Sequence, residues 1–359
     1  MFHGSYLKED VTFLLKPVEL EDTDLTEKEF LIQSGKKHYS EMVSAEYIPS
    51  LEYLDVFYQA MALNKVKMAN NIISLAKLIS EKKKPVLISL ARAGTPVGVL
   101  LKRALQDIFG KESIHYSISI IRDKGIDENA LKYILKYHQQ EEIVFIDGWT
   151  GKGVITNELR KSIELFNQKY NTKIPPIIHV LSDLSGKADI SVTYEDYLIP
   201  SAVLNSTISG LISRTILNKL LIGPDDFHGC KYYKNLADSD LSRWFINEIM
   251  EIIHKLSIDN IEKPEYSESK KAEMQKISHR FITETMSIYN VKNINYIKPG
   301  IGETTRVLLR RVPDRILIND VRSKEVEHLL VLAKEKKVLI EQIENMPYKA
   351  VGIISGLER

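Results

Sequence analysis

An acid followed by a glycine-rich turn is the first place in this chain where chemistry is legible. Asp147-Gly148-Trp149-Thr150-Gly151-Lys152-Gly153 follows four consecutive apolar residues, Ile143 to Ile146, and precedes the amphipathic run Asn157 to Phe166. Strand, glycine-rich turn and helix together aim backbone N–H groups and a helix N-terminus at an anion. The turn is therefore a candidate phosphate cradle with a carboxylate at its mouth. Arg92-Ala93-Gly94-Thr95-Pro96-Val97-Gly98 breaks a second apolar strand, Lys84 to Ala91, ahead of the run Val99 to Leu105. There Arg92 offers a planar fork of donors, or simply caps a surface turn. A third turn, Arg122-Asp123-Lys124-Gly125-Ile126-Asp127, follows the alternating strand His115 to Ile121 and carries two further cations, Arg122 and Lys124, on what is otherwise an ordinary solvated loop.

Two common phosphate motifs are excluded by spacing. A Walker A loop needs four residues between its first glycine and the Gly-Lys pair, whereas Gly148 stands three positions before Gly151 and Gly153 follows the lysine. The dinucleotide fingerprint G-x-G-x-x-G is absent.

Other clusters support two readings each. Asn205 to Thr215 is dense in hydroxyls and carries Arg214; it reads either as a base-recognising wall or as helix caps and turns. His38-Tyr39-Ser40-Glu41 is either a cover for the site or ordinary loop chemistry. His228 and the single cysteine, Cys230, allow a cysteine-protease reading, but their closeness in sequence does not imply a catalytic pair. Lys298-Pro299-Gly300-Ile301-Gly302-Glu303 opens a predicted helix with Arg306, Arg310 and Arg311 behind it. That pattern suits either an RNA backbone or a docking surface with solvated arginines.

These residues need parallel strands to hold them. Alternation of apolar runs with helical periodicity predicts an α/β fold with a parallel sheet, its ligand at the carboxyl edge of the strands. The predicted units are an N-terminal, partly helical extension (1–60), an α/β core (61–225), a helical linker (226–290) and a small α/β/α unit (291–359). A packed helix is predicted from Met61 to Glu81, helices at Glu128 to Tyr137, Leu241 to Leu256 and Lys270 to Tyr289, and a polar boundary at Asp259 to Ser269. In the last unit strands are expected at Asn293–Ile297, Ile316–Ile318, Val338–Ile340 and Ala350–Ile354, with a helix from Ser323 to Lys336.

At 359 residues and a formal net charge of +1, with 27% charged residues, the chain is neither a polyanion magnet nor an acidic solvating protein. It lacks a secretory signal pattern and any unbroken apolar stretch of membrane-spanning length, so no membrane association is expected and the cytoplasm is the expected compartment. One cysteine excludes an intrachain disulfide and a cysteine-cluster zinc site.

The 147–153 turn resembles the phosphoribosyl-diphosphate (PRPP) motif of type I phosphoribosyltransferases, and the Arg92-Ala93-Gly94 turn resembles their diphosphate loop. The departure is Gly148, where that motif usually has its second acid. The 300–306 segment resembles Pelota/L7Ae-type RNA-binding domains. With Gly4-Ser5-Tyr6, these motifs make the chain similar over most of its length to one family. These are the phosphoribosyltransferase-like proteins of bacterial tellurite-resistance (Ter) stress operons with a C-terminal Pelota-type domain, also labelled StiP cysteine proteases.

The resemblance implies a PRPP- and Mg²⁺-dependent transferase acting on an unidentified small-molecule acceptor in synthesis of a nucleoside-like stress metabolite. Asp147, Arg92 and Arg122 would be its catalytic groups, Asp147 also the metal contact. Ala93, Gly94, Thr95, Lys124, Gly148, Thr150, Gly151, Lys152 and Gly153 would bind PRPP. Lys298, Gly300, Gly302, Arg306 and Arg310 would bind RNA. A nucleotide-sensing regulator on the same fold is the alternative outside catalysis, and self-association is left open.

Overall fold

The computed structural model describes residues 2–257, 261, 264 and 266–356; the side chain of Arg310 and part of the expected 259–269 boundary lie outside the described residues. The chain runs through short strands β1 (Thr12–Phe13) and β2 (Lys16–Pro17), helix α1 (Leu25–Gln33) and the long helix α2 (Leu51–Ile79). It continues as β3 (Val86–Leu90), α3 (Gly94–Phe109), β4 (Ile114–Ile118), a hairpin β5 (Ile120–Ile121) and β6 (Gly125–Ile126), and α4 (Glu128–Leu135). Then come β7 (Ile143–Ile146), β8 (Trp149–Thr150), α5 (Val154–Tyr170), β9 (Ile178–Asp183) and β10 (Ile190–Thr193).

These strands form a seven-stranded sheet in the order β1-β4-β3-β7-β9-β10, with β8 pairing β9, and every pairing is parallel. The central strands β3 and β7 are buried along their whole length, which is why they read as unbroken apolar runs. Their side chains alternate between two layers. Leu87, Val144 and Ile146 join the cluster under α2 and α3, while Ile88, Leu90 and Phe145 join the one under α4 and α5.

The expected boundary at residue 60 falls inside α2. That helix starts ten residues before the predicted Met61, capped by Ser50, whose Oγ accepts from the N–H of Tyr53 at 3.2 Å. The N-terminal segment is also no appendage, since β1 extends the main sheet through β4. Beyond the core come β11 (Gly229–Cys230), paired with β2, then α6 (Ser242–Ile253) and α7 (Glu268–Ile288). Phe245, Ile246 and Ile249 of α6 belong to the same apolar cluster as α2 and α3, so this part of the expected linker is core.

The C-terminal unit comprises β12 (Ile297–Pro299), α8 (Ile301–Arg310), β13 (Pro313–Ile318), α9 (Glu327–Glu335), β14 (Leu339–Gln342) and β15 (Ala350–Ile354). Its mixed sheet has the order β12-β15-β13-β14, only the last pair being parallel. One face packs on α7 through Ile282, Leu317 and Val351. The other, with Ile301, Leu308 and Leu329, is continuous with the cluster of the main domain. No helix among the described residues is long and apolar enough to cross a membrane.

Candidate active site

The two glycine-bearing turns meet at the carboxyl edge of the sheet. A Cβ placed on Gly94 would lie 2.6 Å from the carbonyl oxygen of Ile146 and 3.2 Å from the Cα of Asp147. Only glycine lets the start of α3 press this closely on the end of β7. Arg92, Asp147, Trp149, Thr150, Gly151 and Lys152 consequently line one cavity of about 1100 Å³. The peptide bond between Ala91 and Arg92 is cis.

Within the 147–153 turn, Thr150 Oγ1 accepts from the N–H of Gly153 at 2.9 Å, and Gly153 takes the left-handed conformation (φ +75°) where α5 begins. The first N–H groups of α5 have no carbonyl partner within the helix, and Val154, Ile155 and Thr156 line the cavity. Thr156 Oγ1 is buried there without a hydrogen-bond partner. Asp147 Oδ1 accepts from the N–H of Gly148 at 2.8 Å. Burial pushes the Asp147 carboxyl up to about 6 against the pull of Arg306 and that N–H, and the nearby Glu303 adds to the rise. Lys152 is pushed down to about 7 by burial and by Lys298, and its Nζ donates to the carbonyl of Ile294 at 2.6 Å.

Arg92 is buried, and its guanidinium is already held. Nη1 donates to the carbonyl of Ile212 at 2.6 Å and Nη2 pairs with Glu46 at 2.5 Å. The other oxygen of Glu46 accepts from the N–H of Ser206 at 2.8 Å. Arg122 lines the cavity, its N–H donating to Tyr39 Oη at 2.8 Å, and both Arg122 and Arg214 lie over the Tyr39 ring, 5.5 and 5.1 Å from its centroid. Tyr39 thus belongs to the cavity wall, as do Asn205, Ser206, Thr207, Ser213 and Arg214 of the hydroxyl-rich stretch.

Several expected ligand contacts stand elsewhere. Lys124 is exposed on the tight hairpin β5–β6 and does not line the cavity. Thr95 is fully buried and bonds to Ser117 Oγ at 2.8 Å, so it fixes α3 to β4. Ala93 faces a small side pocket shared with Arg92 and Arg306, and Gly148 is buried but leaves open space where a Cβ would stand.

Four of the residues expected to face RNA, Lys298, Gly300, Gly302 and Arg306, are turned inward. Gly300 (φ +93°) sits against Leu184 and Asp196, and Asp196 accepts from the N–H groups of Ile301 at 3.0 Å and Lys349 at 2.8 Å. A Cβ on Gly302 would lie 2.7 Å from the Trp149 ring. The Arg306 guanidinium stacks over that ring, 4.2 Å from its centroid, and bonds to Glu303 Oε1 at 2.9 Å. Lys298, Glu303, Arg306 and Arg311 all line the cavity. Arg310 ends α8, its side chain outside the described residues. A third wall comes from residues 22–53, tied to the C-terminal unit by the Arg311–Glu29 ion pair and by Gln33 Nε2 donating to the carbonyl of Ser355 at 2.9 Å.

Comparison with known proteins gives the lineage. The family described as "Tellurite-like stress resistance cysteine protease StiP" matches residues 4–250, and "PELOTA RNA binding domain" matches residues 276–356. A protein named "Cysteine protease StiP" from Acinetobacter baylyi (strain ATCC 33305 / BD413 / ADP1) is 41% identical over 368 residues, covering 99% of this chain and 95% of that protein. The chain belongs to the StiP family.

Among solved structures, the hypoxanthine phosphoribosyltransferase of Trypanosoma cruzi overlaps 36% of this chain and 77% of its own, at 18% identity and a TM-score of 0.26. The purine phosphoribosyltransferase from Pyrococcus horikoshii Ot3 overlaps 35% and 80%, at 19% identity and a TM-score of 0.24. Overlaps of that quality carry no weight beside the strand order itself.

The StiP family description directs attention to Cys230. It is fully buried in β11, between β2 and the apolar cluster, and away from the cavity lining. Burial pushes its thiol up to about 12. His228 turns its Nδ1 to Ser119 Oγ at 2.8 Å, and its N–H donates to Asp127 at 2.6 Å. Neither residue is where a substrate in the cavity could reach it.

Of the wall residues, Glu46, Tyr53 and Tyr233 escaped sequence reasoning. Each is a single polar residue in irregular or helical surroundings, with no local pattern to mark it.

Proposed function

We propose that this cavity binds PRPP together with Mg²⁺ and transfers ribosyl 5-phosphate to a nitrogenous small molecule. The observation that carries the proposal is the convergence of the Arg92–Gly94 and Asp147–Gly153 turns on one cavity. In the transfer, the bond from C1 of the sugar to the diphosphate oxygen breaks and its electron pair leaves with diphosphate. A bond from C1 to the acceptor nitrogen forms, and the proton that nitrogen carried passes to the departing diphosphate.

The chain's own groups suit these steps. The N–H groups at the start of α5 and the orphaned Thr156 hydroxyl offer donors to the 5-phosphate. Ionised Asp147 accepts from ribose hydroxyls. Arg92 meets the departing diphosphate by exchanging Glu46 for phosphate oxygens. Further donors point the same way. Arg92 Nε, Trp149 Nε1, Arg214 Nε and Arg306 Nε are buried at the cavity without partners, and each can only donate. Such a wall favours a ligand rich in acceptor oxygens.

Asp147 and Glu303 supply hard carboxylate oxygens of the kind Mg²⁺ takes alongside substrate phosphates, so the donor set fits the ion. When bound, Mg²⁺ would neutralise diphosphate charge.

The StiP name raises a thiol-protease reading, and the buried, high-pKa Cys230 weighs against it. Calorimetry with PRPP and Mg²⁺ tests the proposal: binding in the micromolar range is expected, and no heat at millimolar PRPP refutes it. Diphosphate release with a panel of nitrogenous bases then separates an enzyme from a sensor.

A further inference from the structure

The turn that would hold the ribose carries one carboxylate, Asp147, with Gly148 beside it. A vicinal diol presents two O–H donors, and a single carboxylate serves them incompletely when the site is closed to water. The missing acceptor lines the same cavity, 156 positions further along the chain. Glu303, in the first turn of α8, packs against the phosphate turn so tightly that a Cβ on Gly151 would lie 3.3 Å from its Cγ. Its carboxylate lines the cavity together with Asp147.

We propose that the C-terminal domain is a working half of the sugar-phosphate site, with Glu303 as the second carboxylate for the ribose diol and Arg306 as the residue that orients it. This rests on the PRPP reading above and deepens it.

Three features of the junction support the assignment. Arg306 bonds to Glu303 Oε1 at 2.9 Å, leaving Oε2 for a ligand, and stacks over Trp149 of the same turn. Arg306 Nε and Trp149 Nε1 are both buried there without partners, so the junction is built for acceptors not yet supplied by protein. Finally, α8 is anchored independently of any ligand, because Asp196 accepts from the N–H of Ile301 at 3.0 Å. Two acids on separate domains thus line one cavity, while Arg306, Lys298 and Lys152 offset the charge of Glu303.

The test uses the full chain with Mg²⁺ and calorimetry against PRPP, ribose 5-phosphate and 2-deoxyribose 5-phosphate. Glu303→Gln should lower the preference for ribose over deoxyribose 5-phosphate by about 10-fold, with a thermal melt confirming a folded protein. Glu303→Asp, which keeps the charge but draws the carboxylate back, should lower the same ratio. Gly148 has room for a side chain, since a Cβ there meets only the Ala93 carbonyl at 3.8 Å. Gly148→Asp in the Glu303→Gln background should therefore restore the preference, which no purely structural role would produce. A folded Glu303→Gln or Glu303→Asp protein that keeps the wild-type ratio overturns the inference. A wild-type chain that binds none of the three ligands overturns the PRPP reading itself, so the two failures are distinguishable.

Discussion

The sharpest consequence of the structure concerns Cys230, the only thiol in the chain. Its side chain is sealed in β11 against β2, and burial moves its pKa from 9.0 to about 12. The thiolate is the nucleophile, so at pH 7 the reactive fraction falls from about 1 in 10² to about 1 in 10⁵. Alkylation by iodoacetamide should accordingly be at least about 10³-fold slower in the native protein than in denaturant. Closed access adds to that factor. Cys230→Ala should cost about 1 kcal/mol of stability, the scale of losing one buried methyl-sized group. It should leave PRPP affinity unchanged. Mass spectrometry of labelling time courses measures the first quantity and denaturant melts the second. Rapid native labelling with loss of activity, or a folded Cys230→Ala protein with no turnover, would refute both the buried thiol and the assignment of the chemistry to the cavity.

The remaining predictions concern the cavity wall. Asp147 is raised from 3.8 to about 6 in the folded chain, so between those values the native state holds a proton that the unfolded state has released. Its contribution to stability therefore falls as pH rises from about 4 to about 6 and stays low above that. Ligand binding should move the opposite way, strengthening as the carboxylate ionises near pH 6, and Asp147→Asn should flatten both profiles in calorimetry and thermal melts. Gly94→Ala should cost about 1–3 kcal/mol, because the new Cβ meets backbone 2.6 Å away; it should also weaken PRPP binding by parting the two turns, and unchanged affinity would contradict their convergence. Glu46→Gln removes the carboxylate paired with buried Arg92, so the ligand-free protein should melt lower. Diphosphate should then raise its melting temperature by more than it raises that of the wild type; equal shifts would mean that Glu46 does not compete with the ligand.

How much of this was legible depended on the range over which each feature is determined. The strands β3 and β7 were readable because burial on both faces leaves an unbroken apolar run, and the turns after them because glycine is required where backbone meets backbone. The start of α3 was misjudged. Gly94 to Gly98 looks like a breaker, yet Pro96 falls in the first helical turn, where its missing N–H costs nothing. Gly98 is demanded by the His115 imidazole packed against it, a partner on another strand. Likewise Asn293 to Tyr296 has a strand-like composition but forms a short 3₁₀ turn before β12, its cap supplied by Asn293. Local pattern does not record such tertiary choices.

The inward turn of the C-terminal domain is the largest of these. Glycines and arginines at a helix start suit a phosphate backbone in any setting, and sequence alone leaves open whether that phosphate belongs to RNA or to a ligand held by the neighbouring domain. The deciding contacts join Trp149 to Gly302 and Arg306, Asp196 to Ile301, and Glu29 to Arg311. Each is a pairing across a hundred residues or more, and all but the first two involve residues with no motif of their own. Because the three walls of the cavity come from residues 22–53, from the sheet edge and from α8, none of them encloses a ligand alone. Removing the C-terminal domain would expose the main-domain apolar face that Ile301, Leu308 and Leu329 cover and open the phosphate turn to water in one step. A site built this way ties stability of the whole chain to integrity of the cavity, which is the arrangement a reactive sugar cation needs if water is to be kept from it.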